Sequence, residues 1–358
     1  MRSASVKTVV ESFFKRTWRS RGVAATLLWP IATTLQGIAG LRRELYRRGF
    51  LAVRQVNCMV IVVGNVVVGG AGKTPTAISI VQHLRSRQMK VGVVSRGYGR
   101  KSQECKEVFA TDDPSDVGDE PLLFQRKTGV PVWVGQDRYV AAMALMAAHP
   151  DTQVIVCDDG MQHYGLWRDL EVCVFDNRGG GNGWTLPAGP LRQPWPRASV
   201  ASAGQDNNQL LVLHTGATPA FAGFTAHRTL ADHAICSDGS IVPFEQLTGL
   251  HAPSLMAVAG IAQPDMFFDM LISRGLTLAS TRALPDHYDF DSYSNSTPKG
   301  YRLICTEKDA LKIWKYMPNA LAVPLVQTTE SSFWQALDHR IQEHFASQLS
   351  FRHGHTTT

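Results

Sequence analysis

Lys73 and Thr74 close a glycine cluster, Gly69-Gly70-Ala71-Gly72, that follows the apolar run Cys58–Asn65. A helical pattern through Ile78, Val81 and Leu84 begins directly after it. A strand, a glycine-rich turn and a lysine-hydroxyl pair at a helix start can together cradle phosphate. The glycines let backbone N–H groups turn inward, and the helix amino terminus adds partial positive charge. The lysine then reaches the outer phosphates and the hydroxyl binds Mg²⁺. The candidate nucleotide-binding loop is Val67, Val68, Gly69, Gly70, Ala71, Gly72, Lys73 and Thr74. Val67 departs from the pattern G-x-x-x-x-G-K-[ST], which has glycine at that place. The order of elements nonetheless favours a phosphate cradle over a glycine turn with an incidental lysine.

Acids supply the second signal. The run "VIVCDDG" ends an apolar strand with Asp158 and Asp159, where a carboxylate supporting Mg²⁺ belongs. Such a pair can also cap the next helix, so which acid serves the metal stays open. Asp119 and Glu120 precede Pro121 at a predicted helix start, where acids suit the helix dipole and need no chemistry. Gln162 and His163 follow the acidic pair and are candidates for the same site. His287, in "PDHYDF", reads by residue type alone as an ordinary interface histidine.

The elements that must position these groups alternate. Strands are predicted at Cys58–Asn65, Lys90–Gly97, Val130–Gly135, Thr152–Gly160 and Leu170–Asp176, with helices at Pro75–Arg87 and Asp137–His149. Continuous apolar strands separated by helices predict a mostly parallel sheet covered on both faces. The irregular passage Asn177–Arg197, rich in Gly, Pro, Arg and Trp, reads as a functional loop. Beyond it come Gln209–Thr215, a weaker region to about Leu250, and two strand–turn–helix pieces at Ser254–Gly275 and Tyr301–Trp314. Trp334, Leu337, Ile341 and Phe345 mark a closing amphipathic helix before a polar tail. The expected division is an amino-terminal helical region over 1–50, a P-loop domain over 51–204, a smaller α/β domain over 205–330, and a helix and tail over 331–358.

With 358 residues, 44% of them apolar, the chain can bury one large or two modest cores. A formal charge of +6 suits an anionic substrate or membrane surface, and nothing in the pattern points to nucleic acid. The six cysteines contain no C-x-x-C and no metal spacing, as expected of buried thiols in a reducing compartment. From Val23 to Leu41 no residue is charged, while Lys15, Arg16, Arg19 and Arg21 precede this segment and Arg42, Arg43, Arg47 and Arg48 follow it. A spanning helix needs about 20 apolar residues, so the length suffices. Cations on both sides give no orientation, and a helix lying in the interface fits as well as a span. The alternative is a buried hairpin of a soluble domain.

The blocks "GNVVVGGAGKTP", "VVSRGYGR", "GDEP", "QDRY", "DDGMQHYGLWRDLEV", "LPAGPLRQP", "PDHYDF" and "TEKDA" follow one another along the chain. In type and order they resemble the tetraacyldisaccharide 4′-kinases, membrane-associated enzymes of lipid A assembly in Gram-negative bacteria. The resemblance implies a P-loop fold with two α/β domains around a cleft. It also implies transfer of the ATP γ-phosphate, with Mg²⁺, to the 4′-hydroxyl of an acylated glucosamine disaccharide 1-phosphate, giving lipid IVA at the cytosolic leaflet of the inner membrane. It makes Asp119 the catalytic base and His287 its partner, and it places Arg192 near the active site. Gln193 stands where the family usually has glutamate, so a contact needing that charge is in question.

Two rival readings predict different behaviour. A membrane-associated nucleotide switch acting on a protein partner would hydrolyse nucleotide without lipid. A soluble small-molecule kinase would bury Val23–Leu41 in its core.

Overall fold

The computed structural model describes residues 10, 13–14, 16–196, 209–249, 252–292 and 300–354. Its elements, in chain order, begin with helix α1 (Val23–Arg47), β1 (Met59–Gly64), α2 (Lys73–Ser86), β2 (Val91–Ser95) and β3 (Lys106–Glu107). Next come α3 (Pro114–Val117), α4 (Asp119–Thr128), β4 (Val132–Val134), α5 (Arg138–Ala148), β5 (Val154–Asp158) and β6 (Leu170–Phe175). The strands β7 (Leu210–His214), β8 (Phe224–Leu230), β9 (His233–Ile235), β10 (Ile241–Pro243) and β11 (Ser254–Ala259) follow. The chain ends with α6 (Pro264–Ser273), β12 (Leu278–Ala283), β13 (Tyr301–Thr306), α7 (Glu307–Ile313), β14 (Leu321–Val323), β15 (Leu325–Thr329) and α8 (Ser331–Gly354).

Contacts gather into two compact units, each assembled from separate stretches of chain. The first comprises residues 1–73, 159–226 and 329–358, and the second 74–158 and 227–328. A linear reading that cuts at 50/51, 204/205 and 330/331 cannot express such interleaving, and the 204/205 boundary lies outside the described residues.

In the first unit the strands run β1, β6, β7 and the start of β8, all parallel, with Ile61 opposite Leu170, Cys173 opposite Val212 and Leu213 opposite Phe224. β1 and β6 are buried at every residue, as strands covered on both faces must be. Phe333 of α8 packs edge-on against Phe224.

α1 has an unusual polarity. Its buried residues are the small Ala25 and Ala32, while Val23, Leu27, Ile31, Leu35, Ile38 and Leu41 are exposed. A helix on an ordinary soluble surface does the reverse. Polar and aromatic contacts attach it to the irregular loop: Trp29 lies against Trp184, and the side chains of Gln36 and Thr185 meet at 3.3 Å. The buried-hairpin alternative for this segment is therefore set aside. It is one helix whose most apolar stretch is only 11% buried, long and apolar enough to cross a membrane.

In the second unit, β5, β2 and β4 are parallel and β3 closes the edge antiparallel. A further six-stranded sheet has the order β10-β9-β14-β13-β11-β12. Its β14, β13, β11 and β12 are parallel, whereas β9 and β10 run antiparallel. Leu255, Ala257, Phe267, Phe268, Leu271 and Ile304 fill the core between this sheet and α6. The weak stretch before Leu250 thus holds β8, β9 and β10. Thr, His and Arg interrupt β8, and β9 and β10 are three residues each, so none of them offered a continuous apolar run to read.

All six cysteines are free, and Cys58, Cys157, Cys173 and Cys305 are buried. Burial, with the charge of Asp169, pushes the Cys58 thiol up to about 12, so it stays an inert thiol.

Candidate active site

The loop after β1 is held by its carbonyl groups. Arg178 donates from Nη1 to the Val68 oxygen at 3.0 Å and from Nη2 to that of Gly70 at 3.4 Å. Asn65 Nδ2 reaches the Gly69 oxygen at 3.3 Å, and Thr215 Oγ1 reaches that of Ala71 at 2.9 Å. Four successive carbonyl oxygens are therefore tied to protein donors, so none of them is left to repel an anion in the hollow of the loop. Gly69 and Gly72 take positive φ angles, 94° and 86°, which the tight curl requires. A Cβ on Gly69 would lie 3.1 Å from the Arg178 guanidinium, so the brace also needs glycine there. Val67 pairs with Leu191, and the neighbouring Val68 N–H donates to Pro190 O at 2.9 Å. Valine at the place of the pattern's first glycine thus becomes a strand-like contact with the "LPAGPLRQP" segment.

That segment also delivers Arg192. Its N–H bonds the Val66 oxygen at 2.7 Å, and its Nη1 lies 3.4 Å from both Asp159 Oδ1 and Gln162 Oε1. Lys73 Nζ is 3.8 Å from the same Asp159 oxygen. Asp159 adopts φ +48° immediately after β5, a left-handed turn that directs its carboxylate toward these two cations. Gln162 is fixed in turn by donating to Asn65 O at 3.0 Å. His163 is held through its backbone, its N–H to Gly160 O at 2.9 Å and its carbonyl accepting from Arg168. Gln193 is buried and accepts the Tyr164 hydroxyl at 3.0 Å, a bond its neutral amide makes without a charge.

In the second unit, Thr74 Oγ1 faces Asp158 Oδ2 at 3.4 Å, with Asp158 buried at the end of β5. A hydroxyl and a carboxylate are hard oxygen ligands, the donor set Mg²⁺ takes when phosphates and water complete its shell. Among the described residues no three His, Cys, Asp or Glu side chains converge as a self-sufficient metal site.

The same unit brings Asp119 and His287 together from positions 168 residues apart. Gly118, at φ 94°, is the residue that caps α4, and Asp119 is the first residue of the helix. Asp119 is thus one of the first-turn acids that suit the helix dipole, and its carboxylate, 3% exposed as a residue, also faces His287 Nδ1 at 3.1 and 3.2 Å. A Cβ on Gly118 would come within 3.0 Å of Gly97 Cα, so the "VVSRGYGR" and "GDEP" turns meet glycine to glycine. His287 sits at φ +59°, a strained conformation for a non-glycine residue. Its N–H bonds to Gly260 O at 3.1 Å and Asp286 Oδ1 at 3.0 Å, and its ring packs on Tyr98 with centroids 4.9 Å apart.

The "TEKDA" helix α7 completes this centre. Thr306 caps it by accepting the Asp309 N–H, and the buried Asp309 carboxylate accepts from Gly260 N at 3.0 Å and Thr306 Oγ1 at 2.7 Å. Lys308 and Lys312, four apart and so on one helix face, point to the acid and the histidine. Lys312 Nζ is 3.0 Å from Asp119 Oδ2, and Lys308 Nζ is 3.3 Å from His287 Nε2, Glu120 Oε1 and Asp286 Oδ1. Burial opposes charge on Asp119. The His287 hydrogen bond and the Lys308 and Lys312 charges outweigh it and hold the carboxyl well below the usual carboxylate range. Sequence reading passed over Arg178 and both lysines. The quoted "TEKDA" block and an arginine two residues past a strand-ending aspartate were the available signals.

The comparisons with known proteins agree on one family. The model described as tetraacyldisaccharide-1-P 4′-kinase matches residues 24–345. The chain belongs to the tetraacyldisaccharide-1-P 4′-kinase family. A tetraacyldisaccharide 4′-kinase of Polaromonas naphthalenivorans is 50% identical over 347 residues, covering 96% of this chain and 98% of the relative. One from Acidovorax sp. strain JS42 is 50% identical over 326 residues, 90% of this chain and 93% of its own. Among solved structures, LpxK from Aquifex aeolicus in complex with ATP matches with TM-score 0.73 and 27% identity, over 89% of this chain and 99% of that one. The family, its mostly parallel α/β fold and its kinase class are those expected from the sequence.

Proposed function

We propose that this chain transfers the γ-phosphate of ATP to the 4′-hydroxyl of a tetraacylated glucosamine disaccharide 1-phosphate, giving lipid IVA. The carrying observation is the loop at Val68–Ala71, with its carbonyls tied back and Lys73 at its end, in a chain 50% identical to tetraacyldisaccharide 4′-kinases. Phosphoryl transfer passes through a loose transition state, so positioning and charge do most of the work. In this reading the loop amides and Lys73 hold the outer phosphates, and Arg192, steadied by Gln162, adds a second cation for the transferring group.

Thr74 and Asp158 would hold Mg²⁺, which would supply positive charge to offset that of the phosphates. Between the two acids, Asp158 is the better metal ligand, because Asp159 is already occupied by Lys73 and Arg192. Asp119 accepts the proton of the sugar hydroxyl, and His287 orients it. As a carboxylate held far below its ordinary range it is a weak base, which suits a reaction that needs the hydroxyl aimed more than deprotonated.

The outward aliphatic face of α1, with the basic residues flanking it, is proposed to meet the cytosolic leaflet of the inner membrane, where a four-chain lipid resides. Mass spectrometry of a tetraacyldisaccharide 1-phosphate incubated with the protein and ATP tests the assignment. One added phosphate is expected, and none on an acceptor lacking the 4′-hydroxyl. Equal phosphorylation of both acceptors refutes the position of transfer.

A further inference from the structure

The irregular passage after β6 touches the phosphate loop at both of its ends. Arg178 ties the Val68 and Gly70 carbonyls, while Pro190 O accepts the Val68 N–H and the Arg192 N–H bonds Val66 O. Between these ends the chain must double back, and only isolated bridges at Thr185 and Leu191 help it do so. Asn182 sits inside this return. Its Nδ2 lies 2.9 Å from Ala188 O, 3.3 Å from Ser20 O and 3.5 Å from Thr17 O, and its Oδ1 accepts the Trp184 N–H at 3.0 Å. Its backbone is engaged as well. The N–H donates to Trp18 O at 3.0 Å, and the carbonyl accepts from Arg21 Nε at 3.0 Å. Trp18 Nε1 in turn donates to Pro187 O at 2.9 Å.

We infer that Asn182 is a positioning residue for ATP binding, which clasps the Arg178–Arg192 arm to the segment before α1 and so holds the phosphate loop in shape. The inference rests on the reading of that loop as the ATP site. A glycine-rich loop has little conformational preference of its own, so its curl has to be imposed from outside. The arm imposes it from two sides, and Asn182 is where the arm closes. The side-chain chemistry suits the place. An amide carries two donors on nitrogen and an acceptor on oxygen, whereas a carboxylate of the same size would turn an oxygen toward three carbonyls. A Cβ on Gly189 would collide with Asn182 Oδ1, so the arm folds tightly onto the amide. The seam continues along α1, where Trp29 meets Trp184 and Gln36 meets Thr185. The helix proposed to meet the bilayer and the loop proposed to hold ATP therefore share one support, all of it within the first unit.

Two measurements on the full chain test this. The first needs no variant. Ligand binding slows only those backbone openings that disrupt the ligand site. Hydrogen exchange over residues 180–188 should therefore slow by about tenfold or more under saturating ATP without lipid acceptor. Unchanged exchange there, with ATP binding seen by calorimetry, overturns the inference. A wild-type protein that binds no ATP overturns instead the reading of the loop. The second uses Asn182→Ala and Asn182→Asp. Each should raise KM and Kd for ATP about tenfold, near the worth of one well-made hydrogen bond, with a smaller change in kcat. The aspartate, though isosteric, should do no better than alanine. A merely structural role would lower Tm and the active fraction while the folded molecules kept the wild-type KM, and that result refutes the inference. Asn182→Ala combined with Arg178→Met should show a KM close to that of the worse single variant, because both act through one arm. A KM equal to the product of the two single effects marks independent sites and contradicts the shared support.

Discussion

The phosphate loop and the Asp119 centre are rigid for opposite reasons. The loop is held by its backbone. Asn65, Arg178 and Thr215 engage four carbonyls, so the scaffold is tied through main-chain oxygens and not through the loop's own side chains. The Asp119 centre is held by charge, with one histidine and two lysines converging on a buried carboxylate. Backbone-held geometry depends on glycines and local order, so it writes a recognisable motif. Charge-held geometry here depends on residues 168 to 193 positions from Asp119, and its members look ordinary one at a time.

The comparison can be broken at either end, and the largest effects are at the charged groups. Asp119→Asn keeps the shape and removes the base, and should lower turnover by about 10²–10⁴-fold with nucleotide binding intact. Steady-state kinetics and calorimetry on one preparation check both halves. Lys73→Ala should cost about 10²–10³-fold in kcat, as expected for one preorganised electrostatic donor, and should weaken nucleotide binding too, which separates it from Asp119.

Arg178→Met sharpens the contrast, since it loosens the loop without touching the proposed chemistry. A rise of about tenfold in KM for ATP, or about 1.4 kcal/mol, should exceed any change in kcat. A pure kcat loss would instead put Arg178 among the groups acting on the transition state. Replacing Leu27, Ile31 and Leu35 together by Gln should reduce recovery with membranes while leaving stability within about 0.5 kcal/mol per site, as exposed positions allow. A large fall in Tm would show that α1 is core after all.

The smallest effect is on pH. Because the Asp119 carboxyl is lowered in the folded state, its stabilising contribution is complete above the unfolded value of about 3.9 and is lost as pH falls toward the folded one. The stability difference between wild type and Asp119→Asn should therefore be flat from about pH 7 to 5 and shrink below about pH 4. A difference that changes near neutrality contradicts the charge arrangement.

Much of this was legible in the chain. The strands around residues 58–65, 152–160 and 170–176 announced themselves as apolar runs because burial on both faces leaves no polar alternation. The loop was readable because glycine and Lys-Thr are needed at fixed spacing. Asp119 and His287 were reachable only through resemblance, since an acid at a helix start and a lone histidine each have an ordinary structural explanation. The strands β8, β9 and β10 were missed for a related reason. Phe224–Leu230 carries Thr, His and Arg at exposed or half-exposed positions, and β9 and β10 are only three residues long. Lys308 and Lys312 were missed because a lysine pair on a short helix normally faces water, and only the fold brings them to a buried acid.

The most direct test follows the label from γ-³²P ATP in a mixture of purified protein, Mg²⁺ and a panel of acylated disaccharide 1-phosphates. Label should enter the tetraacylated glycolipid at its 4′ position, and ATP consumption should depend on that lipid. Steady release of free phosphate without lipid, with no label in any glycolipid, would contradict the account.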